Sequence, residues 1–421
     1  MSRLMSIATI FFFGFLANCS ENGVAADAGQ DVTDGEDGWA DLQDCLLPPP
    51  PETVDCQQPQ NCPPISIAGE APFSSINFSG FADPSLAHDP ENTQRIWLAY
   101  SWPHIVPGRA LDGSRVQMAA VSSHLARSDD GGRSFTFVKE LYAAIPTADP
   151  EGSGENGLLS SETVSLAWRQ EGAQTTWYAA HLRYFLRPQT GYVPRWGTSW
   201  TVRIGAASSP DKLSEAEEVV IGVSTTASVY HPAVRLDQLA GLPIQDCALL
   251  NNPTLFVRGD NLYLIVECLA FDGPEPDFQS SSTQVFATKP QGTPSTWSWR
   301  HAGRLWDHSL AVELGDETVQ QPDVSLAADG SIIGLVTPAH ADSAVEIGTV
   351  GTGCAAVEIA SIDPPLLRRG CDGQALVRVR IFGEGIHACT HDPNSATGIL
   401  AVKRILTGSP GFMIRLSGLS P

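Results

Sequence analysis

Positive charge is scarce in this chain. Of 421 residues, 25 are Lys or Arg against 47 Asp or Glu, a formal charge of −22. The basic residues form no run, and phosphate binding needs clustered Lys and Arg, so no nucleic-acid partner is expected. Lysine is confined to Lys139, Lys212, Lys289 and Lys403, and neither Lys nor Arg occurs between Arg3 and Arg95. So acidic a surface could bind cations, and a well-solvated secreted protein would look the same. A Gly-rich phosphate loop, G-x-S-x-G and H-E-x-x-H are all missing. Those absences remove the usual starting points for nucleotide, serine-hydrolase and zinc-peptidase chemistry, and no cofactor is expected. Helical periodicity is essentially absent outside Asp211 to Glu218, and beyond the N-terminus no apolar run is long enough to span a bilayer.

What is present starts with an export signal. Arg3 precedes an apolar run from Met5 to Ala17, too short for a comfortable membrane span, so residues 1–19 read as a signal peptide. Its end, Leu16-Ala17-Asn18-Cys19, resembles a bacterial lipobox, which implies acylation of Cys19, although Asn18 departs from the small residue expected there. Cleavage near Val24-Ala25-Ala26 is the alternative. Membrane contact is thus expected only through an N-terminal lipid anchor, on an outer-membrane, cell-surface or secreted protein. Residues 20–66 carry Asp27, Asp31, Asp34, Glu36, Asp37, Asp41, Asp44 and the run Pro48 to Pro51, a composition expected to stay disordered as an extended tether. Apart from Cys19, eight Cys remain, an even set for an oxidising compartment and hence disulfides of undetermined pairing. Cys56 and Cys62 lack the spaced Cys or His partners of a zinc site, and no metal is expected.

From residue 67 to 421 one pattern recurs. Phe81-Ala82-Asp83-Pro84-Ser85-Leu86-Ala87-His88 leads through a polar turn into Ile96-Trp97-Leu98-Ala99-Tyr100. Ser161 to Trp168 leads into Thr176 to Ala180, Asn252 to Val257 into Leu262 to Val266, and Gln321 to Leu326 into Ile332 to Val336. A weaker fifth copy runs from Cys389-Thr390-His391-Asp392 into Ile399 to Val402. Each copy is a polar start, a short apolar strand, a turn and a second strand, and each is followed by a further strand pair. Two pairs make a four-stranded blade, so the fold is expected to be all-β, a single β-propeller of five blades. His231-Pro232-Ala233-Val234 could open a sixth, and a two-sheet sandwich has the same strand content.

One turn is more specific. Ser128-Asp129-Asp130-Gly131-Gly132-Arg133-Ser134-Phe135 resembles the Asp-box of sialidase-like propellers. Asp130 is expected to accept loop N–H bonds, Gly132 to take positive φ and Phe135 to tuck beneath a neighbouring hairpin. The turn sits on the outer rim in those families and speaks to fold alone. The arginine clamp of sialidases is not recognisable here: no Arg-Ile-Pro motif occurs early in the domain, and nothing groups Arg183, Arg235 and Arg258.

The blade starts, with Asp-Pro opening the first, resemble the five-bladed arabinanase, xylosidase and invertase superfamily of glycoside hydrolases. That resemblance implies a first-blade Asp as base or nucleophile, matched by Asp83, and a second-blade carboxylate, matched by Glu162. The third-blade general acid is matched by no acid, because Asn252 is an amide. Glu267, in Val266-Glu267-Cys268, is the substitute on offer, against a structural carboxylate beside a disulfide. His231, Asn252, Gln321, Asp323 and His391 are expected to bind substrate in the central funnel. His387-Ala388-Cys389-Thr390-His391 could put His, Cys and His on one strand face, which a metal could use; a satisfied His pair beside a disulfide is the preferred reading. The sequence therefore reads as an exported, monomeric propeller, either a glycosidase acting on extracellular glycan or a non-catalytic module that binds a glycan or a cell-surface protein.

Overall fold

The computed structural model describes residues 49–70, 78–109, 114–150, 154, 156–186, 200–223, 234–239, 247–272, 275–341, 349–405 and 411–421. The signal peptide, Cys19, His231 and most of the tether lie outside them. The compact body is Leu46–Pro421.

Among the described residues, five blades, antiparallel except for short outermost strands, account for nearly all of it. Blade I runs outward through Ala82–Asp89, Asn92–Arg109, Arg115–Ser128 and Phe135–Tyr142, and blade II through Asn156–Glu171, Gln174–Leu186, Thr201–Ala207 and Glu218–Gly222. Blade III comprises Leu249–Arg258, Asn261–Asp272, Glu275–Thr288 and Arg300–Asp307. Blade IV comprises Thr318–Leu326, Ile332–Ala341, Gly353–Ile362 and Val377–Phe382, and blade V comprises Ile386–Thr390, Leu400–Ile405 and Gly411–Leu416, with Ser79–Gly80 as its outermost strand. The first strand of each blade packs against the first strand of the next, and blade V returns to blade I. The ring is therefore closed, which a sandwich is not.

Each blade interface holds its own apolar cluster, because strands buried on both faces present side chains to both neighbouring blades. Ala99, Leu125, Leu166 and Trp177 fill the I–II interface, and Val202, Leu249, Leu264 and Phe286 the II–III interface. Tyr263, Val285, Val336 and Val357 join III to IV. Ile333, Ala356, Ile386 and Ala401 join IV to V, and Leu98, Phe135, Leu400 and Ile414 join V to I.

The N-terminal segment departs from expectation. A tether up to residue 66 was expected, yet Glu52–Asp55 lies parallel to Val379–Phe382 at the outer edge of blade IV. An edge strand binds through its backbone and leaves its side chains in water, so an acidic, Pro-flanked sequence does not prevent the pairing. The chain then closes the Cys56–Cys62 disulfide, hydrogen-bonds blade V through Ile65 N–H to the Ile414 carbonyl at 3.0 Å, and lays Ile67–Ala68 along blade I. It finally supplies Ser79–Gly80 to blade V. Gly80 has φ of 119°, and a Cβ there would meet the Phe412 carbonyl oxygen at 1.9 Å, so only glycine fits this closing strand.

Two further corrections concern local structure. Of the His231 to Val234 stretch, Val234 is described, and Val234–Arg235 pairs parallel to the outer edge of blade II instead of opening a sixth blade. The helix His308–Leu314 gave no sequence signal because it is two turns long; Asp307 caps it by accepting the Ser309 N–H at 3.0 Å, and Gly315 ends it with φ of 81°. Near residue 211 the chain forms the short 3-10 helix Pro210–Glu215.

The turn Ser128 to Phe135 forms as its residues dictate. Asp130 accepts the Ser134 N–H at 3.0 Å and the Ser128 and Ser134 hydroxyls, both at 2.7 Å, and its carboxyl falls to about 2 because those bonds favour the ionised form. Gly132 has φ of 91°, and Phe135 is buried among blade V residues Leu400 and Ile414.

Candidate active site

The five innermost strands share one backbone irregularity. Each carries a bulge in which two residues oppose one, between Ala82 and Ser85, Glu162 and Ser165, Asn251 and Thr254, Gln320 and Asp323, and His387 and Thr390. The first bulged residue lies in the left-handed region every time: Asp83, Thr163, Asn252, Gln321 and Ala388, at φ of 44°, 53°, 46°, 50° and 46°. Bulges re-aim side chains, and here five of them do so at the same level of a closed ring. Four of the bulge residues, Asp83, Thr163, Asn252 and Gln321, and the residue just before each of the five line a cavity of about 220 Å³.

The acids lining that cavity are Asp83 from blade I and Glu162 from blade II. Tyr184 Oη donates to Glu162 Oε2 at 2.7 Å. Burial, then the Asp83 charge, raises the Glu162 carboxyl to about 8 against the Tyr184 hydrogen bond. Burial raises Asp83 to about 6, with a Ser101 hydrogen bond opposing. The Asp83 charge opposes ionisation of Glu162, so of the two carboxyls Glu162 holds its proton to the higher pH.

Around them stands a polar collar of Asn251, Asn252, Gln320, Gln321 and His387, with Arg404 in the wall. Gln321 Nε2 approaches Asp83 Oδ1 at 3.5 Å, and Gln321 Oε1 accepts the Ala388 N–H at 2.9 Å. Burial lowers His387 to about 4, so the ring is neutral; its Nδ1 donates to the Gly385 carbonyl at 3.1 Å. Trp200 stacks on Tyr184 at 4.4 Å and completes an apolar side with Leu186, Leu269 and Phe412.

The expected residues divide clearly. Asp83, Glu162, Asn252 and Gln321 meet at the cavity. Glu267 does not line it: its carboxylate sits beneath the collar, accepting the Gln321 N–H, Asn251 Nδ2 at 3.0 Å and Asn252 Nδ2 at 2.9 Å. Burial raises it to about 7. Lying inside the second strand of its blade, it orients three collar groups and is not placed to protonate a leaving group. Asp323 lies two residues past its bulge, so it lines a narrower space of about 40 Å³ further along the axis with Ser85, Ser165 and Thr254. Burial raises it to about 7.

His391 is 3% exposed, between the inner strands of blades IV and V, with Nδ1 at 3.2 Å from Ser325 Oγ, and it lines neither of these spaces. Ala388 breaks the strand's alternation, so His387 and His391 point to different places, and Cys389 is bonded to Cys354. Arg183, Arg235 and Arg258 do not line the cavity. Thr163, Tyr184 and Gln320 went unread in the sequence, because their approach depends on bulges and on the upper ends of second strands.

No family model matches the sequence, and no curated protein matches it. Solved structures of similar outline exist. The arabinanase of Bacillus subtilis is 11% identical with a TM-score of 0.41, over 82% of this chain and 95% of that one. The exo-inulinase of Aspergillus awamori is 10% identical with a TM-score of 0.44, over 81% of this chain and 63% of the enzyme. A fructofuranosidase of Schwanniomyces occidentalis, complexed with fructosylnystose, is 11% identical with a TM-score of 0.40, over 83% and 60%. Overlays this loose transfer no residue roles, so the chemistry is argued from the side chains themselves.

Proposed function

We propose that this chain is a propeller glycoside hydrolase that acts on extracellular glycan, with Asp83 as base or nucleophile and Glu162 as proton donor. The observation that carries the reading is the pair itself: two carboxyls from adjacent blades in one cavity, with the Asp83 charge helping to raise Glu162 further than Asp83. Glycoside cleavage needs one carboxylate and one carboxylic acid at the same pH, and unequal pKa values supply both. Tyr184 fixes the acid, and the amides of Asn252 and Gln321 suit sugar hydroxyls. Export as a lipid-anchored surface protein is part of the proposal. The disulfides Cys56–Cys62, Cys247–Cys268 and Cys354–Cys389 favour an oxidising compartment.

A second reading, a glycan-binding propeller without turnover, is favoured by Asn251 and Asn252 at the third blade start, where the resembled enzymes place an acid. A panel of aryl furanosides, pyranosides and a sialoside separates the two. Turnover lost in Asp83→Asn and Glu162→Gln supports hydrolysis. Saturable glycan binding by a wild type inert on the whole panel supports the binding module.

A further inference from the structure

The five blades can be compared with one another position by position, and blade II breaks the pattern twice. Two residues before each bulge residue stand Phe81, Ser161, Leu250, Val319 and Ile386. Opposite the bulges, on the second strands, stand Tyr100, His181, Val266, Val336 and Ala401. In blades I, III, IV and V these are aromatic or aliphatic pairs; Phe81 and Tyr100, for instance, meet edge to face at 5.4 Å. In blade II alone both members are polar, and they are bonded to each other. Ser161 Oγ lies 2.6 Å from His181 Nδ1, and His181 Nε2 lies 2.8 Å from Glu218 Oε1 on the blade's outer strand.

The polar pair is held from all sides. Tyr142 of blade I stacks on the His181 ring at 3.8 Å, and Ser123 Oγ donates to the Ser161 carbonyl at 3.1 Å. With Nε2–H donating to the Glu218 carboxylate, Nδ1 accepts from the Ser161 hydroxyl. The order resembles that of a nucleophilic serine, but Ser161 is 0% exposed and lines none of the cavities found among the described residues, so no substrate reaches it. What it does adjoin is Glu162, the next residue in the chain. A buried polar chain costs desolvation that an apolar pair avoids, and four blades use the apolar solution.

We propose that Glu218, His181 and Ser161 form a positioning relay for Glu162, built into the one blade that carries the proposed acid. It anchors the backbone just before Glu162 to the outer strand, so the carboxyl cannot swing away from Tyr184 and Asp83. The inference rests on the glycosidase reading for its purpose, though not for its test.

Ser161→Leu/His181→Val gives blade II the pair that blade III has in Leu250 and Val266. The variant should fold, while kcat on the best glycoside falls about 100-fold with KM little changed, the scale expected of a misplaced acid. The second readout needs no turnover: ¹³C titration of the Glu162 carboxyl, assigned with Glu162→Gln. Its midpoint should move toward the ordinary carboxylate range as water reaches it, with Asp83 and Tyr184, the titratable groups facing it, unchanged in sequence. A folded variant with wild-type kcat and an unmoved midpoint overturns the relay. If wild type turns over no glycoside, the glycosidase reading fails and the midpoint alone decides the relay. Should the double variant not fold, Glu218→Gln, which keeps the side-chain shape, is read by the same two measurements.

Discussion

The backbone N–H of Leu166 in blade II donates to the hydroxyl of Ser85 in blade I at 3.0 Å. The same bond recurs two residues past the bulge residue in blades II and V, Leu255 N–H to Ser165 Oγ at 2.9 Å and Leu86 N–H to Thr390 Oγ1 at 3.1 Å, whereas in blade III the Thr254 hydroxyl donates to the Pro322 carbonyl. Asp323 replaces the hydroxyl in blade IV and accepts from the His391 backbone. These bonds join strands of different blades that share no ladder. Ser85→Ala should leave the Leu166 N–H buried without an acceptor and cost ~1–3 kcal/mol in urea unfolding, whereas Ser85→Thr, the residue that blade V uses in this bond, should cost much less.

Glu162→Gln keeps the Tyr184 hydrogen bond and removes the transferable proton. If Glu162 is the acid, kcat on a glycoside with a poor leaving group should fall by ~10²–10⁴, and by much less on an activated aryl glycoside that needs little protonation. Equal losses on both would count against this role.

Glu267→Gln tests orientation apart from chemistry. The carboxylate accepts from Gln321, Asn251 and Asn252 together, and an amide there has one acceptor oxygen for three donors. Stability should drop by ~1–3 kcal/mol and substrate affinity should weaken. The pH–rate profile should keep its shape, since Asp83 and Glu162 are intact; loss of one limb would return Glu267 to the catalytic set.

Stability should decline as pH rises above neutrality. Glu162, Asp83, Glu267 and Asp323 are raised to about 8, 6, 7 and 7 in the fold, so the folded chain holds protons that the unfolded chain has lost. Their contribution is complete below the ordinary carboxylate range and disappears as pH climbs through those values. His387 and His391, each lowered to about 4, act in the opposite sense but only below their unfolded value near 6.5. Between about pH 6.5 and 8.5 the acids act alone, so Tm should fall there, and fall less in Glu162→Gln, as calorimetry can record.

The Cys354–Cys389 disulfide joins the third strand of blade IV to the first strand of blade V, next to the bulge residue Ala388. Cys354→Ser/Cys389→Ser should lower unfolding free energy by ~2–4 kcal/mol in denaturant.

Much of this architecture was legible along the chain because blade starts repeat locally. Asp83-Pro84-Ser85, Asn252-Pro253-Thr254 and Gln321-Pro322-Asp323 mark their bulges within three residues, and the Asp-box needs only eight. Blade II hides the same bulge, since Thr163-Val164-Ser165 lacks the proline, and Glu162 therefore passed as the blade start when it stands one residue before the bulge.

The sequence by itself determined the strand content, the repeat and the two acids, since alternation, turn residues and polar blade starts are properties of neighbours in the chain. Tertiary structure alone decided the rest: that Glu52–Asp55, Ile67–Ala68 and Ser79–Gly80 pair with blades IV, I and V through backbone edges, that Glu267 lies under the collar, and that Ser161, His181 and Glu218 meet. Those contacts join residues up to hundreds of positions apart. Hydrogen bonds across blades have no period in sequence, so nothing short of the closed ring could bring them into view.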